Sequence, residues 1–158
     1  MARVEIRPAR AEDMEGLAAT TAGLFAEDGA LRDRLRNPGW PAEHGAGWVA
    51  DLLGDPDALL LAAVGEGSVV GHLVGAFSAA SPMWLVPRAE LVSMYVRPDH
   101  RGLGVGSGLV GRFTAWARDR GAVRLHVTAY ADNEGALRFY RRHGFAPLSI
   151  QLAADPTE

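Results

Sequence analysis

The sequence predicts a mixed α/β fold: a central, mostly antiparallel sheet with helices on both faces. Three observations predict it. Two apolar runs, residues 58–64 and 68–77, are joined by Gly65-Glu66-Gly67 and read as a hairpin. Helical spacing of apolar residues recurs at 14–24 and 104–120. The second half then alternates strand and helix, as crossover units do. We expect about six strands and about four helices, in the order β-α-α-β-β-β-α-β-α-β, in a single domain over residues 1–158.

Val4-Glu5-Ile6-Arg7 reads as an opening strand stopped by Pro8. Glu12 and Asp13 favour a helix start by complementing its positive end, and Met14, Leu17, Thr21 and Leu24 follow at helical spacing. Residues 27–45 are polar, hold Asn37-Pro38-Gly39 and Trp40-Pro41, and read as loop. A second helix is expected over 46–53. The hairpin follows, then a proline-bearing loop at 81–88 and a strand at 89–96 stopped by Pro98. Residues 104–120 read as a helix with Val105, Leu109, Phe113 and Trp116 on one face and Gly121 as its cap. A strand at 124–129, a helix at 133–143 capped by Gly144, and a last strand at 145–152 complete the pattern.

Composition narrows the function. Of 158 residues, 48% are hydrophobic and 22% charged, the balance of a soluble globular domain. A net charge of -3 argues against a nucleic-acid surface. The absence of cysteine excludes disulfides, a thiolate nucleophile and Cys-ligated zinc. No His or acidic pair has metal-ligand spacing, so no metal is expected. The opening residues are not a secretory pattern, and no apolar run is long enough to cross a bilayer. Cytoplasmic residence, away from membranes, is the expectation. All 16 basic residues are arginine.

The densest signal is Arg101-Gly102-Leu103-Gly104-Val105-Gly106-Ser107-Gly108, between a predicted strand and a predicted helix. Glycines let the backbone approach a ligand, and a helix N-terminus adds unpaired N–H groups and a positive dipole end. Together they suit a diphosphate. Residues 106–111 also match the dinucleotide pattern G-x-G-x-x-G, with Asp132 near the place of a ribose-binding acid. That pattern should follow its strand at once, whereas residues 97–101 intervene and its glycines fall inside the helix. The P-loop pattern fails for want of a lysine.

The stretch from Val96 through Pro98 and Arg101 to Gly106 resembles the acetyl-CoA signature [Q/R]-x-x-G-x-[G/A] of the GNAT superfamily of N-acetyltransferases, with Arg101, Gly104 and Gly106 in the signature positions. A second block of the same family follows: Asn133-Glu134-Gly135-Ala136-Leu137-Arg138-Phe139-Tyr140, then Gly144-Phe145. The resemblance implies that acetyl-CoA is the co-substrate. The backbone of Arg101, Gly102, Gly104, Val105, Gly106 and Ser107 would hold its pyrophosphate. The backbone of Met94 and Val96, on a bulged strand splayed from the next, would pair with the pantetheine arm, and Asn133 would bond the same arm.

Acetyl transfer requires an amine freed of its extra proton, donors where negative charge develops, and an acid for the departing thiolate. The resemblance makes Tyr140 that acid; its phenol, with an ordinary pKa near 10, stays protonated at neutral pH. Glu90, eleven positions before Arg101, matches the glutamate base of histone-acetylating members. Water and His126 are the alternatives for the base, and Tyr130 is the second candidate acid. The N–H of Met94 is a candidate donor to the thioester carbonyl. His72 reads as a hydrogen-bonded structural residue, while His44 and His100 read as loop residues.

In this superfamily the regions corresponding to 27–45 and 81–88 line the acceptor side. Their mixed charges and Trp40 and Trp84 select no acceptor. A small-molecule amine is the first expectation. A protein N-terminus or lysine is the second, and an acetyl-CoA-binding sensor without catalysis is the third. Few residues follow Phe145, so the sheet edge is expected to be covered by a second copy in a homodimer.

Overall fold

The computed structural model describes residues 2–157; residues 1 and 158, the expected domain bounds, lie outside the described residues. The elements are β1 (Val4–Pro8), α1 (Met14–Leu31), α2 (Trp40–Gly54), β2 (Ala58–Gly65), β3 (Ser68–Ser78), β4 (Arg88–Val96), α3 (Val105–Asp119), β5 (Arg124–Val127) and α4 (Glu134–Arg142). The strands form one sheet in the order β1-β2-β3-β4-β5. The first four are antiparallel and β5 runs parallel to β4.

Alternation along the strands sends side chains to both faces, and helices cover both. On one face Leu61, Ala63, Val70, Leu73, Ala89 and Leu91 pack with Val105, Leu109 and Phe113 of α3. On the other, Leu60, Ala62 and Val74 pack with Leu17 of α1 and Val49 of α2. The hairpin turn between β2 and β3 holds Glu66 at φ 51° and Gly67 at φ 77°. Two successive positive φ values match the twist of the strands they join. Among the described residues no helix is long and apolar enough to cross a membrane.

The structure departs from the sequence reading in three places. Residues 27–45 are mostly helical: α1 continues to Leu31 and α2 begins at Trp40, so His44 lies on a helix. Pro41 sits in the first turn of α2, where its missing N–H costs nothing. Trp40 stacks on Phe25 at 5.2 Å and meets Trp48 edge-on at 5.7 Å, which folds the segment onto α1. Secondly, β5 ends at Val127, short of the expected 129. Thirdly, 145–152 forms no strand, leaving five strands where about six were expected. The alternation is present, but the segment makes no backbone hydrogen bonds to a described strand, and alternation without a ladder is not a strand.

Candidate active site

Three elements meet at the glycine loop. Gly102 and Gly104 adopt φ 74° and 85°, a region costly for residues bearing a Cβ. Gly104 in this conformation is the N-cap of α3, and Gly108 N makes the bond to Gly104 O that opens the helix. Among the described hydrogen bonds, the amides of 102–107 therefore have no protein acceptor. The amide of Arg101 does: it turns to Pro98 O at 3.3 Å. Of the backbone amides expected to face a pyrophosphate, that of Arg101 is therefore already bonded within the protein. Open space surrounds the Cβ directions of Gly102 and Gly104. Backbone donors at a helix N-terminus with room before them fit a pyrophosphate.

The second element is the edge of β4. Its register against β3 shifts between Val74 and Gly75, which oppose Ser93 and Leu91, so Val92 is the extra residue of a bulge. Pairing with β5 ends at Leu91 and Val127. Beyond the bulge, Arg97 N bonds to Val70 O on β3, so the alternating N–H groups of Val96 and Met94 face the other way, toward the edge β5 has left. Val96 O is taken by Arg101 Nε at 2.7 Å. The bulge and the early end of β5 together create the splay that an extended ligand arm requires.

The third element is α4. Asn133 Oδ1 caps it by accepting from Ala136 N at 3.1 Å, which leaves the Asn133 amide group to serve a ligand. The Phe139 ring lies against Gly106, where an added Cβ would come within 3.3 Å of it. Ser107 Oγ and His143 Nε2 are 3.1 Å apart. These two contacts fasten α4 to the first turn of α3 and bring Tyr140 to the same end of the sheet. Tyr140 packs edge-on to Phe139 at 5.3 Å and to Phe145 at 5.7 Å. Burial disfavours its phenolate, and its pKa is pushed up to about 12. It is therefore a protonated donor at any physiological pH.

Glu90 is exposed and pairs in register with His126 of β5, so the two share a sheet face. Buried Nε2 of His126 has no hydrogen-bond partner among the described residues. Two open surface hollows are present, one lined by residues 29–35 and one by β1 and α3 around Gly108 and Arg112. Among the described residues no group of three or more His, Cys, Asp or Glu is placed to hold a metal.

A helix N-terminus facing a splayed, bulged strand is thus present, and the comparisons with known proteins give the family. The profile of the Acetyltransferase (GNAT) family matches residues 30–145. The chain belongs to this family. It is an N-acetyltransferase, an acyltransferase enzyme. It is 33% identical over 160 residues to the streptothricin acetyltransferase of Streptomyces lavendulae, covering 93% of this chain and 82% of that one. An uncharacterized N-acetyltransferase of Methanocaldococcus jannaschii is 37% identical over 62 residues, which is 39% of this chain and 27% of that relative. The fold is similar to that of an aminoglycoside N-acetyltransferase solved in complex with CoA, with a TM-score of 0.79, 15% identity, and 98% and 95% of the two chains covered.

Several residues of this N-acetyltransferase site carry no motif and were not singled out from sequence. Glu27 of α1 holds Arg101 Nη2 through both carboxylate oxygens, at 2.8 and 3.0 Å. The Arg101 guanidinium also lies 5.3 Å from the Tyr95 ring centre. The signature arginine thus braces the loop against α1 and β4 while the amides of the loop remain free. Arg32, at the end of α1, reaches Asp132 O at 3.1 Å, next to Asn133. His72 bridges Thr20 Oγ1 at 2.8 Å and Ser93 Oγ at 2.9 Å, tying α1 to the strand beside the bulge. Partners this distant in sequence leave no local trace; only the structural role expected of His72 was legible.

Proposed function

We propose that the chain transfers an acetyl group from acetyl-CoA to a primary amine, by direct attack in a ternary complex. The observation that carries the proposal is the convergence of free amides at 102–107, the open β4 edge at Met94 and Val96, and the protonated Tyr140. The co-substrate would bring an activated thioester. The loop amides would hold its diphosphate, and the β4 edge and the Asn133 amide would hold its arm extended in the splay. Met94 N–H would donate to the thioester oxygen as charge grows there.

The amine must arrive neutral or lose a proton. Glu90 would accept that proton, directly or through water, with His126 beside it as the alternative relay. As the amine nitrogen bonds to the acetyl carbon it sheds its second proton to water at the site, and the carbon–sulfur bond breaks. Tyr140 would give its hydroxyl proton to the thiolate, leaving an amide and a free thiol, and would be reprotonated from solvent.

A small-molecule amine is the proposed acceptor. The names of the similar streptothricin acetyltransferase and of the aminoglycoside N-acetyltransferase with the similar fold support it. The proposal includes one domain across the chain, cytoplasmic residence and a homodimer. The test is incubation of the purified protein with acetyl-CoA and a panel of aminoglycosides, streptothricin-like amines, polyamines and lysine peptides. Mass spectrometry should find an acetylated small amine matched by released thiol. Acetylation confined to peptides would overturn the acceptor. Binding of acetyl-CoA with no amine acetylated would overturn the catalytic reading.

A further inference from the structure

Among the described residues, Arg36 Nε, Arg88 Nη1 and His126 Nε2 are shielded from water and lack a hydrogen-bond partner. Arg36 is accounted for by its ion pair with Asp28, at 3.9 Å. The other two lie together. β4 and β5 pair Arg88 with Arg124 and Glu90 with His126. Ala89, Leu91, Leu125 and Val127 between and beyond them pack with α3, so by alternation these four side chains face the opposite side of the sheet. Glu90 and Arg124 are exposed there. A shielded polar group without a partner needs an explanation, and two on one open face point to a ligand that brings the missing partners.

Arg88 is set in place from two sides. Ser81 and Trp84 bond each other's backbone at 2.9 and 3.2 Å, closing a tight turn before β4. The Trp84 ring centre then lies 4.2 Å from Arg88 Cζ. Such stacking covers one flat face of the guanidinium and leaves its in-plane N–H fork free. Pro87 O accepts from Val123 N at 2.9 Å, which locks the starts of the two strands together. Arg124 therefore stands one strand spacing, about 4.8 Å, from Arg88. Like charges so placed repel. Neither arginine joins an ion pair among the described residues, and neither does Glu90. An anion between the two arginines relieves their repulsion and gives the Arg88 donors an acceptor.

Resting on the small-molecule amine acceptor proposed above, we infer that this acceptor carries an oxyanion, a carboxylate or a phosphate, beside its amine, and that Arg88 and Arg124 bind it. Two residues along a strand span about 6.6 Å. An anion held at Arg88 thus sets an amine a few bonds away in front of Glu90 and His126, the proposed proton acceptors. Pairing of β4 with β5 ends one residue further on, at Leu91 and Val127, where the splay admits the acetyl group. Aminoglycosides and polyamines, whose remaining charges are positive, fit a pair of arginines poorly.

The test compares initial rates on β-alanine, 4-aminobutyrate and 2-aminoethyl phosphate with those on β-alaninamide, ethanolamine and an aminoglycoside. The anionic amines should have the higher kcat/KM by about 10–100-fold, the worth of a charge-assisted hydrogen bond. Arg88→Gln should raise their KM by a similar factor and change kcat far less, since the anion is bound alike in ground and transition states. Arg124→Gln, at an exposed position, should raise the same KM by a smaller factor. Acetyl-CoA affinity in calorimetry should match wild type in both variants. If Arg88→Gln loses that affinity, Arg124→Gln alone decides, and an unchanged KM there overturns the inference. Anionic amines no better than neutral ones, a preferred aminoglycoside, or an unchanged KM in Arg88→Gln also overturns it and leaves the small-amine reading standing. No amine acetylated at all overturns both.

Discussion

His72 should make this protein acid-labile in a defined window. The side chain is 1% exposed and sits between two hydroxyls, Thr20 Oγ1 and Ser93 Oγ, with no carboxylate to stabilise a charged ring. Burial lowers its pKa from 6.5 to about 4. Between those values the unfolded chain binds the proton and the folded chain does not, so stability falls as pH falls. Linkage puts the loss at about 1 kcal/mol by about pH 5.5 and about 2 kcal/mol by about pH 5, with a ceiling of about 3 kcal/mol once the pH is below 4. Urea unfolding followed by circular dichroism between neutrality and about pH 5 measures it. His72→Gln keeps a donor and an acceptor but cannot titrate. It should cost about 1–2 kcal/mol at neutral pH and lose this pH dependence. Asp28, raised by burial, changes stability in the opposite sense, but it is common to both proteins and cancels in the comparison. Equal pH slopes in wild type and His72→Gln would refute the reasoning.

Asp13 accepts from Arg7 at 2.7 and 3.0 Å and from Arg10 N at 2.8 Å, nearly out of solvent. Asp13→Asn should cost about 3 kcal/mol in urea unfolding, the loss expected when one partner of a buried pair is removed. The Arg7 bond lowers the Asp13 pKa below its ordinary 3.8, so this stability is present above that value and goes only as the pH falls through the lower, folded value. Gly71→Ala would bring a Cβ to 2.8 Å from Tyr95 O, a backbone atom that cannot swing away. It should cost about 1–3 kcal/mol and weaken acetyl-CoA binding in calorimetry, since it displaces β4 at Tyr95 and Val96. Tyr140→Phe should leave acetyl-CoA affinity intact and lower the single-turnover rate about 10²–10⁴-fold; an unchanged rate would make Tyr140 a packing residue only.

Short-range chemistry made much of the molecule legible. The hairpin followed from two apolar runs around Gly65-Glu66-Gly67, and the start of α3 from the glycines before it, because a turn or a cap is settled by a few neighbouring residues. The resemblance carried by Arg101, Gly104, Asn133 and Tyr140 pointed to an N-acetyltransferase because family motifs are written in short local stretches. The extent of α1 and α2 was not legible, since the stacking of Trp40 on Phe25 joins residues fifteen positions apart and outweighs the loop signal of Asn37-Pro38-Gly39. Nor was the bracing of Arg101 by Glu27, a contact across 74 positions. The 145–152 segment shows the division best. Its sequence states that one face wants cover, and it fixes which residues make that face. Whether a strand forms depends on an edge to bond with, and a sequence carries no information about an edge until the sheet exists.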